Sequence, residues 1–185
     1  MTAVPLTKIC PICERQQLSE NEDCANPNCT HSFKAARICH CGRENPVLET
    51  NCASCDRTMS ETDIVHNSIV KYILVSPDGQ CCIPVGEFEM TIGRAAFGVY
   101  YLSKNIYVSG SHLSLQLMGS GGLYVTDLDS SYGTWLYEST EENCKGIKLT
   151  KYDAVPAANG CQLSLAGKKG SKTATLLNVI KVFSG

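Results

Sequence analysis

Eight cysteines stand between Cys10 and Cys55, and their spacing is the first chemistry the chain offers. Cys10-Pro11-Ile12-Cys13 is followed by ten residues and then by Cys24 and Cys29. Cys39-His40-Cys41 is followed by ten residues and then by Cys52-Ala53-Ser54-Cys55. A shift of 28 residues lays Cys13 on Cys41, Arg15 on Arg43 and Cys24 on Cys52. Each half holds four thiols in two close pairs, joined by a loop long enough for a β-hairpin. Tetrahedral zinc needs that arrangement, because each pair forms a tight knuckle and the hairpin brings the knuckles together. The expected ligand sets are Cys10, Cys13, Cys24 and Cys29, then Cys39, Cys41, Cys52 and Cys55. The wide gap between Cys24 and Cys29, and the single residue between Cys39 and Cys41, depart from the usual two-residue gap. They leave His31 and His40 as substitute ligands.

The pattern resembles a double zinc ribbon over residues 1–58. Two ions are expected, and both are read as structural. A catalytic zinc keeps one position open for water, and two complete four-cysteine sets leave none. The segment has few large apolar residues, chiefly Ile9, Ile12, Leu18, Phe33, Ile38, Val47 and Leu48. A chain of that length buries too little surface to fold easily on such a core. Structural zinc supplies about 10–16 kcal/mol of apparent binding energy at neutral pH, and in small modules this is folding energy. Residues 1–60 hold six Lys/Arg and seven Asp/Glu. Each zinc with four thiolates adds about −2. The resulting acidic module is a poor match for nucleic-acid phosphates and suits a protein contact better.

The whole chain of 185 residues has a formal net charge of −2, which argues against a dominant nucleic-acid or membrane-surface partner. Its apolar runs are short and interrupted, so no membrane span is expected. No basic start followed by an apolar stretch precedes residue 20, so a cytoplasmic location is expected. In that compartment, paired cysteines read as metal ligands rather than disulfides. Cys81 and Cys82 are adjacent on an expected strand and point to opposite faces, so they read as packing.

The elements that position the rest are short strands. Residues 59–67 read as a linker, with a helical turn capped by Ser60 and Asp63 as an option. Ile69–Val75 is β-branched and apolar, Pro77-Asp78-Gly79 is a turn, and Gln80–Val85 returns. Strands are also expected at Glu89–Ile92, Ile106–Val108, Leu113–Met118, Leu123–Leu128, Thr134–Tyr137, Ile147–Leu149, Cys161–Leu165 and Ala174–Phe183. A long loop, Ala95–Asn105, separates two of them. Many short strands with turns every eight to twelve residues or so mean a sandwich or barrel. Trp135, on an inward position, reads as core.

Three fragments fall among these strands: Ile92-Gly93-Arg94, Ser109-Gly110-Ser111-His112, and Asp127-Leu128-Asp129-Ser130-Ser131-Tyr132-Gly133-Thr134-Trp135. In this order they resemble the forkhead-associated (FHA) domain, over Asn67 to Gly185. The resemblance implies an all-β sandwich at 68–185 that binds phosphothreonine on loops at one end. It implies Arg94 and Ser109 as direct phosphate ligands, Ser131 as an assisting polar group, and Gly110 where many members carry a ligand-touching side chain. Gly93, His112, Gly133 and Thr134 are implied as structural. The chemistry suits the roles. A phosphothreonine carries about −1.5 to −2 charges and three acceptor oxygens, and a guanidinium stays charged and bonds two oxygens together. The family usually has Asn before the Gly-Thr pair, where this chain has Tyr132. Tyr cannot imitate an amide at short range.

Three function classes follow. The leading one is a phosphothreonine-dependent adaptor, with a serine/threonine kinase, a phosphatase or their substrates as partner and the ribbons contacting a second protein. The alternatives are a phosphorylation-independent scaffold with a degenerate site, which Tyr132 favours, and a zinc-ribbon nucleic-acid binder. No catalytic residue is assigned. Ser109, Ser111 and His112 have the types of a nucleophile and base, but no acid is placed to orient the imidazole. The metal assignment predicts that chelation unfolds residues 1–58 and spares the rest. Circular dichroism and limited proteolysis of the stripped protein check this, and a segment still folded without metal contradicts it.

Overall fold

The computed structural model describes residues 7–9, 13, 15–18, 23–28, 35–46, 49–60, 64–66, 70–96, 100–119 and 121–183. The chain clusters into two compact units, the first taking in Met1–Cys39 and Arg43–Ile69, the second Val70–Phe183. No described helix is long and apolar enough to cross a membrane.

In the first unit, β1 (Thr7–Ile9) pairs antiparallel with β2 (Gln16–Leu18). β3 (Ala35–Ile38) pairs antiparallel with β4 (Glu44–Asn45) on one side and β5 (Ile64–His66) on the other. β5 lies in the stretch read as a linker. Its β-branched Ile64-Val65 pair suits an extended partner for β3, and sheet pairing overrides the polar residues before it. The optional helical turn falls largely on residues 61–63, outside the described residues.

The second unit is a β-sandwich of two antiparallel sheets. One runs in the order β13 (Ala154–Pro156), β10 (Gly122–Asp127), β9 (Leu113–Met118), β8 (Met90–Ile92). The other runs β12 (Ile147–Lys148), β11 (Thr134–Tyr137), β14 (Gln162–Leu165), β15 (Thr175–Lys181), β6 (Tyr72–Val75), β7 (Cys82–Val85). β10 alternates half-buried and buried positions along its length, as a strand with one face on the core must. Leu113, Leu115, Leu123 and Val125 from one sheet join Leu74, Leu163, Leu165, Leu177 and Val179 from the other in one buried cluster.

Four expectations are corrected. Ile106–Val108 forms a turn, not a strand. Asn105 dictates this: its carboxamide oxygen accepts the Tyr107 N–H at 3.0 Å, its carbonyl accepts the Val108 N–H at 3.1 Å, and its amide donates to the Thr173 carbonyl at 2.7 Å. The loop after β8 contains a single helical turn, α1 (Tyr100–Ser103), anchored by the fully buried Leu102. β13 falls where no strand is expected, and it contains Pro156. It is an edge strand paired only with β10, where a missing N–H costs no ladder bond. Trp135 is not core. On β11, Thr134 and Leu136 face inward, so the period of two turns Trp135 to the outer face. There the Lys148 ammonium lies 5.2 Å from its ring centroid.

Candidate phosphate-binding loops and cysteine cluster

The site begins with a glycine. Gly93 directly follows β8 and is buried against the next loop, and a Cβ there would stand 2.3 Å from the Gly110 carbonyl oxygen and 2.7 Å from that of Ser109. Only a residue without a side chain permits this approach. It lets the Arg94 N–H donate to the Ser109 carbonyl at 2.9 Å and the Ala95 N–H to the Gly110 carbonyl at 3.1 Å. Arg94 is exposed while its backbone is strapped to the Ser109–Gly110 segment.

His112 ties in the third loop. Its N–H donates to the Ile92 carbonyl at 2.9 Å, and its carbonyl accepts the Leu128 N–H at 3.0 Å. Its ring Nδ1 accepts the Ser109 N–H at 3.0 Å. The imidazole is fully buried, and accepting at Nδ1 puts its proton on Nε2. Burial lowers its pKa below the ordinary 6.5, with the Asp127 carboxylate and the Gly133 backbone opposing. The neutral tautomer is therefore the working form, and His112 braces the Ser109 loop.

Asp127 shapes the loop after β10. Its carboxylate is 1% exposed, and accepts the Ser130 N–H at 2.8 Å, the Ser130 hydroxyl at 2.7 Å and the Thr134 hydroxyl at 2.6 Å. A buried charge needs such partners to be tolerated. Between them the chain turns through Asp129 (φ 60°), whose carboxylate pairs with Lys151, and through Gly133 (φ 78°). The turn presents the Ser131 N–H to the Ser109 hydroxyl oxygen at 3.0 Å. Thr134 is fully buried.

The fold thus brings Arg94, Ser109, Gly110 and Ser131 onto contacting loops. Accepting from Ser131, the Ser109 hydroxyl keeps its own hydrogen to donate. Tyr132 is 50% exposed and meets the Tyr107 ring edge-on, with centroids 5.3 Å apart. Sequence reasoning missed Asp127 as organiser and Tyr107 as the partner of Tyr132. An acid three residues before a serine and seven before a threonine was the available signal for the first.

The sulfurs of Cys39, Cys41, Cys52 and Cys55 lie within 4.8 Å of one another. A thiolate tetrahedron with zinc–sulfur bonds of about 2.3 Å sets sulfurs roughly 3.8 Å apart, so the set fits one such ion. The Cys39 and Cys55 sulfurs are 3.5 Å apart and unbonded, which excludes a disulfide between them. The Ser54 N–H points to Cys52 Sγ at 3.4 Å, as a thiolate acceptor requires. His40 is not in the group. Of the other set, Cys13 and Cys24 have sulfurs 3.5 Å apart, while Cys10, Cys29 and the optional His31 lie outside the described residues.

Residues 90–166 match the family model for the FHA domain. The second unit carries an FHA domain. Among solved structures, the chain is similar to the FHA domain of human APLF in complex with an XRCC1 bisphospho peptide. That match has 16% identity, covers 60% of this chain and 99% of that one, and has a TM-score of 0.45. It is similar to the N-terminal FHA domain of S. cerevisiae Rad53p in complex with a phosphothreonine peptide, at 20% identity, 60% and 94% coverage and a TM-score of 0.47. It is also similar to the FHA domain of an Arabidopsis thaliana hypothetical protein, at 22% identity, 63% and 89% coverage and a TM-score of 0.48. No curated protein matches the chain in sequence.

Two outcomes are expected. Gly93→Ala forces the two loops apart and costs about 1–3 kcal/mol, the usual size of overpacking, read in chemical denaturation. Unchanged stability would contradict the close approach. His112 sets a pH dependence. The unfolded chain takes up the imidazole proton at 6.5, the folded chain only below that. The contribution of His112 to stability is therefore whole above pH 6.5 and is lost as pH falls through the lower folded value. Denaturation midpoints between pH 7.5 and 5.5 should fall in the wild type and fall less in His112→Gln; equal slopes would contradict the neutral, buried ring.

Proposed function

We propose that the FHA domain of this chain is a phosphopeptide-binding module and that the protein is a phosphothreonine-dependent adaptor in serine/threonine kinase signalling. FHA domains are generally phosphopeptide-binding modules rather than enzymes, and the match over residues 90–166 supports that class. The observation that carries the reading is the backbone strap from Arg94 to Ser109, with the Ser131 N–H on the Ser109 hydroxyl. It puts a permanent cation and a hydroxyl donor on touching loop tips, which is what a phosphate monoester requires. Two solved relatives carry phosphorylated peptides, and the proposed partner is of that kind: a phosphothreonine-bearing kinase, phosphatase or substrate.

The first unit is proposed as a double zinc ribbon with two structural ions that contacts a second protein. The cluster at Cys39, Cys41, Cys52 and Cys55 supports one ion, and the sequence repeat supports another at Cys10, Cys13, Cys24 and Cys29. When bound, the ions cross-link the knuckles and offer no open position for chemistry.

Tyr132 favours a second reading. Its ring stands on Tyr107, and it cannot hold a peptide backbone as an amide does. A scaffold that binds without phosphorylation would keep its partner after Arg94→Ala. Calorimetry separates the two. The adaptor binds a phosphothreonine peptide and not its unmodified form, and Arg94→Ala costs at least about 1.5–3 kcal/mol, the size of a hydrogen bond to a charged group. Equal binding of both peptide forms would overturn it in favour of the scaffold.

A further inference from the structure

The halves of the first unit repeat more than their cysteines. The 28-residue shift lays Gln17 on Asn45, Ala25 on Ala53 and Asn26 on Ser54. The hydrogen bonds follow. Ala25 N–H donates to Gln17 Oε1 at 2.8 Å, and Ala53 N–H donates to Asn45 Oδ1 at 3.0 Å. Asn26 N–H meets Cys24 Sγ at 3.4 Å, and Ser54 N–H meets Cys52 Sγ at 3.4 Å. Both carboxamides are buried, at 6% exposure for Gln17 and 2% for Asn45. Their amide nitrogens also tie down backbone: Gln17 donates to the Asp23 carbonyl at 3.1 Å and Asn45 to the Arg43 carbonyl at 3.0 Å. Asn45 Nδ2 reaches Cys52 Sγ as well, at 3.7 Å.

We propose that Gln17 and Asn45 are equivalent positioning residues, one for each metal knuckle. Each carboxamide grips the N–H just after a ligand cysteine and so aims the following N–H at the thiolate. This rests on the double-zinc reading above. Four thiolates around one zinc leave about two excess negative charges, and N–H groups pointed at sulfur offset them. An apolar side chain of similar volume fills the same space but removes the acceptor that fixes the Ala25 or Ala53 N–H. The carboxamide is therefore needed for its two-sided hydrogen bonding. The side chains differ by one methylene, yet the same backbone bond recurs in both halves, so it is the bond that repeats and not the residue.

The test is zinc competition against a chromophoric chelator on the full-length chain, with cobalt(II) substitution to read the sulfur-to-metal absorption band. The wild type should hold two ions. Asn45→Leu should weaken one ion about 10–100-fold, the usual effect of losing a group that orients a metal ligand, and spare the other. Gln17→Leu should do the reverse, and the double variant should weaken both. Asn45→Asp keeps the acceptor for Ala53 but removes the donor to Cys52 and adds a negative charge. It should weaken the same ion as Asn45→Leu and shift the cobalt band, a change that a pure packing role would not cause. Two ions held at wild-type affinity with unchanged spectra in every variant would overturn the proposal while leaving the double-zinc reading intact. A wild type holding fewer than two ions overturns that reading itself, and with it this inference.

Discussion

His112 is the constraint on which the binding end of the sandwich depends. One residue reaches three segments: Ile92 through its N–H, Leu128 through its carbonyl and Ser109 through its ring. Each of those segments runs directly into a loop of the site. The ring serves only as an unprotonated acceptor at Nδ1, and complete burial keeps it so by disfavouring the charged form. In this arrangement Nδ1 is engaged by the Ser109 backbone N–H.

Around that brace, two further devices convert backbone geometry into a surface. The missing side chain at Gly93 allows two carbonyls to come where a Cβ would stand, which seats Arg94 beside Ser109. The buried Asp127 carboxylate gathers donors from Ser130 and Thr134 and folds the intervening loop back towards Ser109. Arg94 and Ser131, both exposed, and the half-buried Ser109 are thus held by buried groups. A flexible loop would have to be ordered at the moment of binding, at an entropic cost this arrangement has already met.

The positions legible in the sequence were those where backbone geometry restricts residue type locally. Gly93-Arg94 at a strand end, Ser109 and His112, and Gly133-Thr134 are of this sort. So are the strands at Leu113–Met118 and Thr134–Tyr137, whose extent follows from their β-branched, aromatic and apolar residues. What escaped depends on partners distant in sequence. Asn105 makes a turn of an apolar triplet by bonding to Thr173, and β13 exists because β10 offers it an edge despite Pro156. Trp135 packs outward because Thr134 and Leu136 claim the core, and Tyr107 meets Tyr132 across two loops. The cluster of Cys39, Cys41, Cys52 and Cys55 was legible in their spacing, whereas the buried amides Gln17 and Asn45 became visible only through their matched hydrogen bonds.

The central claim is that three braced loops form one anion pocket, and amide-resolved NMR of the full chain during titration with phosphothreonine peptide tests it most directly. The account predicts saturable shifts concentrated at Arg94, Ser109, Gly110 and Ser131, with the core strands unmoved. Shifts scattered over the surface, or none at these four residues at saturating peptide, would contradict it.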